Sequence, residues 1–224
     1  MKTIVITGAG KGIGKATAIL AASKGYKVIG LSRNIDKLKN IKNLYSYSID
    51  ITKEKSIKKL TETIKSKFSK IDILINNAGT LLNLPFIKSS IEEFKKVYEV
   101  NVFGLAEVTR LFLPLINNDG HVINISSMGG VQGSSKFPGL SAYSSSKGAV
   151  ITLTEMLSEE YKNTGPAFNV LALGAVQTEM LNQAFPGYKA PISSEEFAVY
   201  LLDFALTGHK FYNGKILPIS SSNP

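Results

Sequence analysis

Short apolar runs typical of buried strands alternate with helix patterns along most of the chain. The helix patterns cover residues 13–23, 53–68, 91–116, 142–161 and 193–205. The strand patterns lie at Thr3–Thr7, 27–31, Ile71–Asn76, 121–126, 168–173 and 215–219, with a weaker one at Leu44–Ser48. Strands that alternate with helices pair in parallel and bury both faces of their sheet. The sequence therefore predicts an α/β fold: a doubly wound parallel β-sheet of about seven strands, flanked by helices on both faces.

Length and composition indicate a single domain. A chain of 224 residues with 44% hydrophobic content is ordinary for one soluble globular unit. The least regular stretch, residues 178–191, is long enough to form a lid over a substrate. The apolar segment before the first glycines is too short for a signal peptide, and no later run approaches about 18 apolar residues. We expect a cytoplasmic protein, one domain over residues 1–224, without a membrane partner.

The charge balance raises the question of nucleic-acid binding, because the formal net charge is +9. The lysines are spread over several helix patterns, and the chain's arginines are Arg33 and Arg110. Since phosphate-backbone binding needs clustered cations, solvated helix faces explain the charge better and no nucleic-acid partner is expected. The absence of cysteine excludes thiolate chemistry. His121 and His209 lack metal-ligand spacing, so we expect no metal site and place both on the surface.

A glycine-rich turn, TGAGKGIG, follows the first strand and opens the first helix pattern. Its glycines, Gly8, Gly12 and Gly14, let backbone approach a pyrophosphate closely, while the helix N-terminus offers free N–H groups. The spacing is GxxxGxG and not the GxGxxG of many dinucleotide sites. Within a strand–turn–helix context, it predicts a dinucleotide phosphate site.

Tyr143 and Lys147 lie four residues apart in the segment YSSSK. On a helix they share a face one turn apart. A cation roughly 4 Å from a phenol, at an effective dielectric near 20, favours the phenolate by about 4 kcal/mol, or roughly three pKa units. The pair therefore predicts a Tyr143 pKa near working pH, where the phenol can exchange a proton with a carbonyl or an alcohol.

These segments together resemble the short-chain dehydrogenase/reductase family, whose fold is Rossmann-type. The matching motifs are TGAGKGIG, DIT containing Asp50, NNAG at 76–79, NVFG beginning at Asn101, NISS ending at Ser127, and YSSSK. The resemblance implies a catalytic tetrad of Asn101, Ser127, Tyr143 and Lys147. In that tetrad Tyr143 exchanges the proton, Ser127 binds the substrate oxygen, Lys147 also binds the nicotinamide ribose, and Asn101 holds a water next to the lysine.

Cofactor preference is predicted from the end of the second strand. NAD-preferring members place an acid there against the ribose 2′-hydroxyl, whereas this chain has Ser32 followed by Arg33, with Lys11 in the glycine turn. A guanidinium can bind a 2′-phosphate through two charge-assisted hydrogen bonds, so NADP(H) is predicted over NAD(H). The predicted cofactor-binding residues are Gly8, Lys11, Gly12, Ile13, Gly14, Ser32, Arg33, Asn34, Asp50, Ile51, Asn77, Ala78, Gly79, Tyr143, Lys147, Gly174, Val176 and Thr178.

The resemblance implies hydride transfer between the nicotinamide and a carbonyl or alcohol, with carbonyl reduction as the cellular direction. A mostly apolar set of residues predicts an uncharged aldehyde, ketone or diketone as substrate: Met128, Gln132, Phe137, Leu140, Met180, Leu181, Phe185 and Tyr188. A 3-ketoacyl group on a carrier protein, or a non-catalytic NADP(H) sensor, remains an alternative. Family members generally pair through long helices, here 91–116 and 142–161, so we expect a homodimer or homotetramer.

Overall fold

The computed structural model describes residues 1–220 and contains a central sheet of seven parallel strands, which confirms the predicted fold class. The strands in chain order are β1 (Thr3–Thr7), β2 (Lys27–Ser32), β3 (Leu44–Ser48), β4 (Ile71–Asn76), β5 (Ile116–Ser127), β6 (Ala167–Leu173), β7 (Val176–Gln177), β8 (Ile192–Ser193) and β9 (Ile216–Ile219). The helices are α1 (Gly12–Ser23), α2 (Glu54–Lys67), α3 (Ile91–Tyr98), α4 (Leu105–Phe112), α5 (Ser141–Glu160), α6 (Glu179–Ala184) and α7 (Ser194–Thr207).

The strand order of the main sheet is β3-β2-β1-β4-β5-β6-β9, and β7 and β8 pair separately. The chain first builds outward from β1 to β3 and then returns to β4 on the other side of β1. Connections on either side of this reversal leave a crevice at the carboxyl ends of β1 and β4. The topology thus brings the glycine-rich turn after β1 next to the NNAG segment after β4.

Alternating side chains of the strands build two apolar cores, one on each face of the sheet. On β1, Ile4 and Ile6 belong to the core beneath α1 and α7, whereas Val5 belongs to the core beneath α2 and α4. All three are fully buried. Because successive strand side chains point to opposite faces, the continuous apolar run of β1 is what a strand covered on both sides requires.

The helix pattern predicted over residues 91–116 is interrupted in the structure. It comprises α3, a π-helical turn at Glu99–Gly104, α4, and a 3₁₀ turn at Leu113–Leu115. Ile116 is already the first residue of β5, so the predicted helix end is wrong by one residue. Pro114 in the last turn lacks an N–H group to continue the helix. Inserted π-turns often occur at functional positions, and this one contains Asn101.

The expectation that both histidines lie on the surface is wrong for His121, which is fully buried on β5. Its Nδ1 donates a hydrogen bond to the carbonyl oxygen of Ala205 at 3.1 Å, and its Nε2 accepts one from Asn169 at 3.0 Å. His209 is half-buried, with its ring centre 5.6 Å from that of His121. Both ring nitrogens of His121 thus have hydrogen-bond partners, one on α7 and one on β6. The sequence pattern around His121 did not predict these partners.

Within residues 1–220, no helix is long and apolar enough to cross a membrane. Nor do three or more His, Cys, Asp or Glu side chains gather there in a way that could hold a metal ion.

Candidate active site

The glycine-rich turn between β1 and α1 forms the floor of a cleft. Gly8 and Gly12 have φ values of +68° and +52°, which favour residues without a Cβ. A Cβ on Gly8 would lie 2.9 Å from the backbone of Ala78, and one on Gly14 would lie 2.4 Å from the carbonyl oxygen of Gly8. The turn is therefore packed so tightly that side chains at these positions would displace it.

The N-terminus of α1 faces this cleft without a side-chain cap. Its N-cap residue, Lys11, makes no side-chain capping hydrogen bond, and the first turn contains no acidic residue. Lys11, Gly12 and Ile13 all line the cleft. Free N–H groups, a positive helix dipole and a nearby ammonium suit an anion. This donor set fits the pyrophosphate of a dinucleotide.

Thr7 ties the carboxyl ends of β1 and β4 together beneath the cleft. Its hydroxyl oxygen accepts hydrogen bonds from the backbone N–H groups of Asn77 and Ala78, each at 3.0 Å. The Asn77 amide in turn donates to the carbonyl oxygen of Thr7 at 3.0 Å. These bonds hold the NNAG segment against the glycine-rich turn, where Asn77, Ala78 and Gly79 line the same cleft.

The end of β2 brings a cation and no acid to the far end of the cleft. Ser32 and the exposed Arg33 line the cleft there, together with Asp50 and Ile51 beyond β3. Asp50 accepts two hydrogen bonds from Thr52, from its backbone N–H and its hydroxyl, both at 2.9 Å. The backbone bond chiefly lowers the pKa of Asp50, the Thr52 hydroxyl, Arg33 and Lys53 lower it further, and burial opposes them. Asp50 is therefore ionised at neutral pH, and its two hydrogen bonds from Thr52 hold the carboxylate in place.

Ser127 and Tyr143 lie on the wall next to the carboxyl end of β5. Ser127 ends that strand, and Tyr143 lies in the first turn of α5. Burial raises the pKa of Tyr143 above its ordinary value, and a hydrogen bond with Ser127 partly opposes this rise. The predicted lowering of the Tyr143 pKa towards neutrality is wrong for the protein chain by itself. The phenol is therefore protonated at neutral pH.

Lys147 explains this difference, because its ammonium is engaged elsewhere. Its Nζ donates to the carbonyl oxygen of Ile125 at 2.8 Å and lies 5.8 Å from the centre of the Tyr143 ring. The residue is only 5% exposed, and burial lowers its pKa to about 8. Helical spacing did bring the two side chains to one wall, but β5 supplies the lysine with a carbonyl partner.

Asn101 lies behind the cleft wall and not on its surface. It is fully buried in the π-helical turn. Its Oδ1 accepts from the Thr80 backbone N–H at 2.8 Å, while its Nδ2 donates to the Thr80 carbonyl and to the Ser146 hydroxyl, each at 2.9 Å. Since both amide hydrogens of Asn101 are used within the protein, the predicted water next to Lys147 would have to donate to the remaining acceptor site of Oδ1 or to a backbone carbonyl.

Most predicted cofactor-binding residues border this one cleft. Besides those already described, Gly174, Val176 and Thr178 line it. Gly14 and Asn34 do not. Gly14 is buried beneath the turn, where it leaves room for Gly8, and the exposed Asn34 instead accepts a hydrogen bond from the Asp36 N–H at 2.9 Å.

The predicted substrate pocket is assembled only in part. Met180 and Leu181, at the start of α6, line the cleft. The remaining predicted residues do not line it: Met128, Gln132, Phe137, Leu140, Phe185 and Tyr188. Leu140 is buried beneath the start of α5, and Gln132 and Tyr188 are exposed. Proximity in sequence to Ser127 and Tyr143 was therefore a poor guide to the cleft lining within the irregular segments 128–140 and 185–191.

Several lining residues were not anticipated. They are Leu31, Ile49, Thr80, Leu81, Val100, Ile125, Ser126, Leu173 and Glu179. Thr80 and Leu81 directly follow NNAG, which was an available signal. Glu179 brings a carboxylate to the phosphate end, with its Oε2 3.6 Å from where a Cβ on Gly12 would lie. Nothing in the local sequence around Glu179 indicates that approach.

Comparison with known proteins gives a consistent result. A family model described as short chain dehydrogenase matches residues 2–189. An uncharacterized oxidoreductase of Staphylococcus aureus (strain MRSA252) is 32% identical over 220 residues, which cover 95% of this chain and 94% of that protein.

Solved structures are similar over nearly their whole length. A 3-ketoacyl-(acyl-carrier-protein) reductase from Brucella melitensis, complexed with NADH, has a TM-score of 0.89 and 25% identity, covering 99% of this chain and 98% of that one. ElxO with NADP bound has a TM-score of 0.84 and 28% identity, covering 97% and 96%. The two similar structures thus hold different nicotinamide cofactors.

Proposed function

The chain belongs to the short-chain dehydrogenase family, and we propose that it is an NADP(H)-dependent carbonyl reductase. As a family member it is an NAD(P)-dependent oxidoreductase. The observation that carries the finer proposal is the shared cleft: Ser127, Tyr143 and Lys147 line the same cavity as the glycine-rich turn. Acid–base groups beside a dinucleotide cradle are the arrangement that hydride transfer to a carbonyl requires.

The side chains supply the proton and hold the substrate oxygen. The cofactor, when bound, supplies the hydride. Ser127 donates a hydrogen bond to the carbonyl oxygen, which becomes more negative as the reaction proceeds. Tyr143 donates its proton to that oxygen, and its raised pKa keeps this proton in place at neutral pH. Lys147, with a pKa of about 8, is mostly cationic at neutral pH and is proposed to bind the nicotinamide ribose.

The NADP(H) preference rests on charge. Arg33 and Lys11 line the cleft, and Ser32 stands where an acid would bind an unphosphorylated ribose. A 2′-phosphate is attracted by the guanidinium, whereas a ribose hydroxyl gains less from it. Similar structures contain either cofactor, so the preference is argued from these residues of this chain.

We propose an uncharged aldehyde, ketone or diketone as substrate, because Leu81, Met180 and Leu181 give the inner end of the cleft an apolar wall. A carrier-bound 3-ketoacyl group is the second candidate, favoured by the similarity to the Brucella reductase. We further propose one cytoplasmic domain with residues 178–191 as its lid. A homodimer or homotetramer is proposed as well, supported by the exposed apolar side chains of Phe103 and Met156 on the predicted pairing segments.

The deciding experiment is oxidation of NADPH, with NADH in parallel, across aldehydes, ketones, diketones and 3-ketoacyl thioesters. Tyr143→Phe is the control, because it removes the proton donor and keeps the ring. We expect turnover with NADPH that Tyr143→Phe abolishes while cofactor affinity is retained. Tight NADPH binding without turnover across the panel would contradict the reductase and favour a sensor.

A further inference from the structure

Asn83 lies outside every predicted site. It joins two segments that border the substrate end of the cleft, which is the end lined by Leu81, Met180 and Leu181. Its Nδ2 donates a hydrogen bond of 2.8 Å to the carbonyl oxygen of Ala184. Ala184 is the last residue of α6, and the two residues are 101 positions apart in the chain. The bond therefore connects the segment after β4 directly to the lid.

The same carboxamide is packed against the loop before α5. A Cβ on Gly139 would lie 2.2 Å from the Asn83 Oδ1, and Gly139 has a φ of +85°. The backbone N–H of the next residue, Leu84, donates to the Gly139 carbonyl oxygen at 2.9 Å. Asn83 thus lies where three segments meet: residues 80–84, the loop ending at Leu140, and the lid.

Few other bonds hold the outer part of the lid to the rest of the protein. Within residues 1–220, the other hydrogen bonds of residues 179–191 join them to one another or to Gln177 and Thr178 at the base of the lid. The Gln177 carboxamide donates to the Asn182 Oδ1 at 2.5 Å and accepts from the Ala190 N–H at 2.7 Å. Asn83 thus ties the C-terminal end of α6 to the segment after β4.

Residues on both sides of this bond line the cleft. Leu81 precedes Asn83 by two positions, and Met180 and Leu181 lie on the helix that Asn83 holds at its other end. Asn83 itself does not line the cavity. We propose that Asn83 is a positioning residue that fixes the lid helix opposite Leu81 and so sets the shape of the substrate end. Its importance for catalysis rests on the proposed carbonyl reduction, whereas its hold on the lid does not.

Asn83→Asp tests the bond directly, because a carboxylate of the same shape cannot donate to the Ala184 carbonyl. The exposed Asn118, at the amino end of β5, provides Asn118→Asp as a control with the same charge change far from the lid. Circular dichroism and thermal melting establish that both variants are folded. The first readout is the rate of trypsin cleavage after Lys189, an exposed lid residue.

We expect Asn83→Asp to speed cleavage after Lys189 about two- to tenfold, the range for loss of one exposed hydrogen bond, and Asn118→Asp to leave it unchanged. On the carbonyl substrate that the panel identifies, KM should rise by a similar factor while the dissociation constant for NADPH, measured by fluorescence, stays the same.

Unchanged cleavage and unchanged KM in Asn83→Asp would overturn the inference, as would an equal change in Asn118→Asp. If the wild-type protein turned over no carbonyl, the proposed function would fail. The cleavage rates would still decide whether Asn83 holds the lid.

Discussion

Lys147 donates its hydrogen bond to the carbonyl oxygen of Ile125, at 2.8 Å, from the helix that packs against β5. This bond holds the ammonium at the cleft wall. Burial, and not the charge of Lys147, therefore has the largest effect on the pKa of Tyr143. The Tyr143 phenol is thereby kept protonated in the protein chain by itself, as the proposed carbonyl reduction requires.

The first prediction concerns the ionisation of Tyr143. Because burial raises its pKa above the ordinary value of 10.0, phenolate absorbance attributable to Tyr143 should appear only above pH 10. The measurement is the difference in ultraviolet titration between the wild-type protein and Tyr143→Phe, without cofactor. A phenolate signal from Tyr143 below pH 8 would show that the ammonium of Lys147 dominates after all.

Reversal of the charge at Arg33 should change cofactor preference. Charge-assisted hydrogen bonds contribute about 1.5–3 kcal/mol, so Arg33→Asp is expected to weaken NADPH binding about ten- to a hundredfold and NADH binding much less. Lys37→Asp is the matched control, because Lys37 is exposed nearby and does not line the cleft. Calorimetric titration with both cofactors measures the effect, and an unchanged ratio of affinities would remove Arg33 from the site.

Glu179 should weaken cofactor binding, since its carboxylate lies beside Gly12 at the phosphate end. Glu179→Gln removes a like charge and is expected to lower the dissociation constant for NADPH a few-fold, with an effect that shrinks as added salt screens the charges. Glu195→Gln is the control, because Glu195 is also acidic in a first helical turn but does not line the cleft. Weaker NADPH binding by Glu179→Gln would contradict the electrostatic reason.

Burial of His121 should make the fold sensitive to acid. Its pKa is lowered from 6.5 to about 4, chiefly by burial. Between about pH 6.5 and 4, His121 is therefore protonated in the unfolded chain but not in the folded protein. The free energy of unfolding falls as pH drops through this range. At about 1.4 kcal/mol per pKa unit, the loss is about 3 kcal/mol.

The test for His121 compares urea unfolding at pH 7 and pH 4.5 in the wild-type protein and His121→Asn. The variant should lose less stability between these pH values, even though it is less stable at pH 7. His209→Asn is measured alongside, because the pKa of His209 is also lowered, first by burial and then by Lys2 and Lys210. An acid sensitivity identical in the wild-type protein and His121→Asn would exclude His121 as its source.

The sequence by itself determined the seven strands of the main sheet, the helices α1, α2, α5 and α7, and the order of these elements. Apolar runs of strand length and a glycine-rich turn at a strand–helix junction depend on local chemistry: burial on two faces and backbone without a Cβ. Parallel pairing then followed from alternation with helices. The family resemblance grouped Ser127, Tyr143 and Lys147 with Asn101 as a predicted tetrad, and the structure brings the first three to one cleft.

Only the tertiary structure decided what depends on partners distant in the chain. The Ile125 carbonyl oxygen on β5 accepts a hydrogen bond from the ammonium of Lys147. Hydrogen-bond partners on α7 and β6 allow His121 to be buried. Asn101 interrupts the predicted long helix with bonds to Thr80 and Ser146. Asn83 reaches Ala184 across 101 positions. Local patterns do not specify such contacts, because each exists only when the sheet has brought its two segments together.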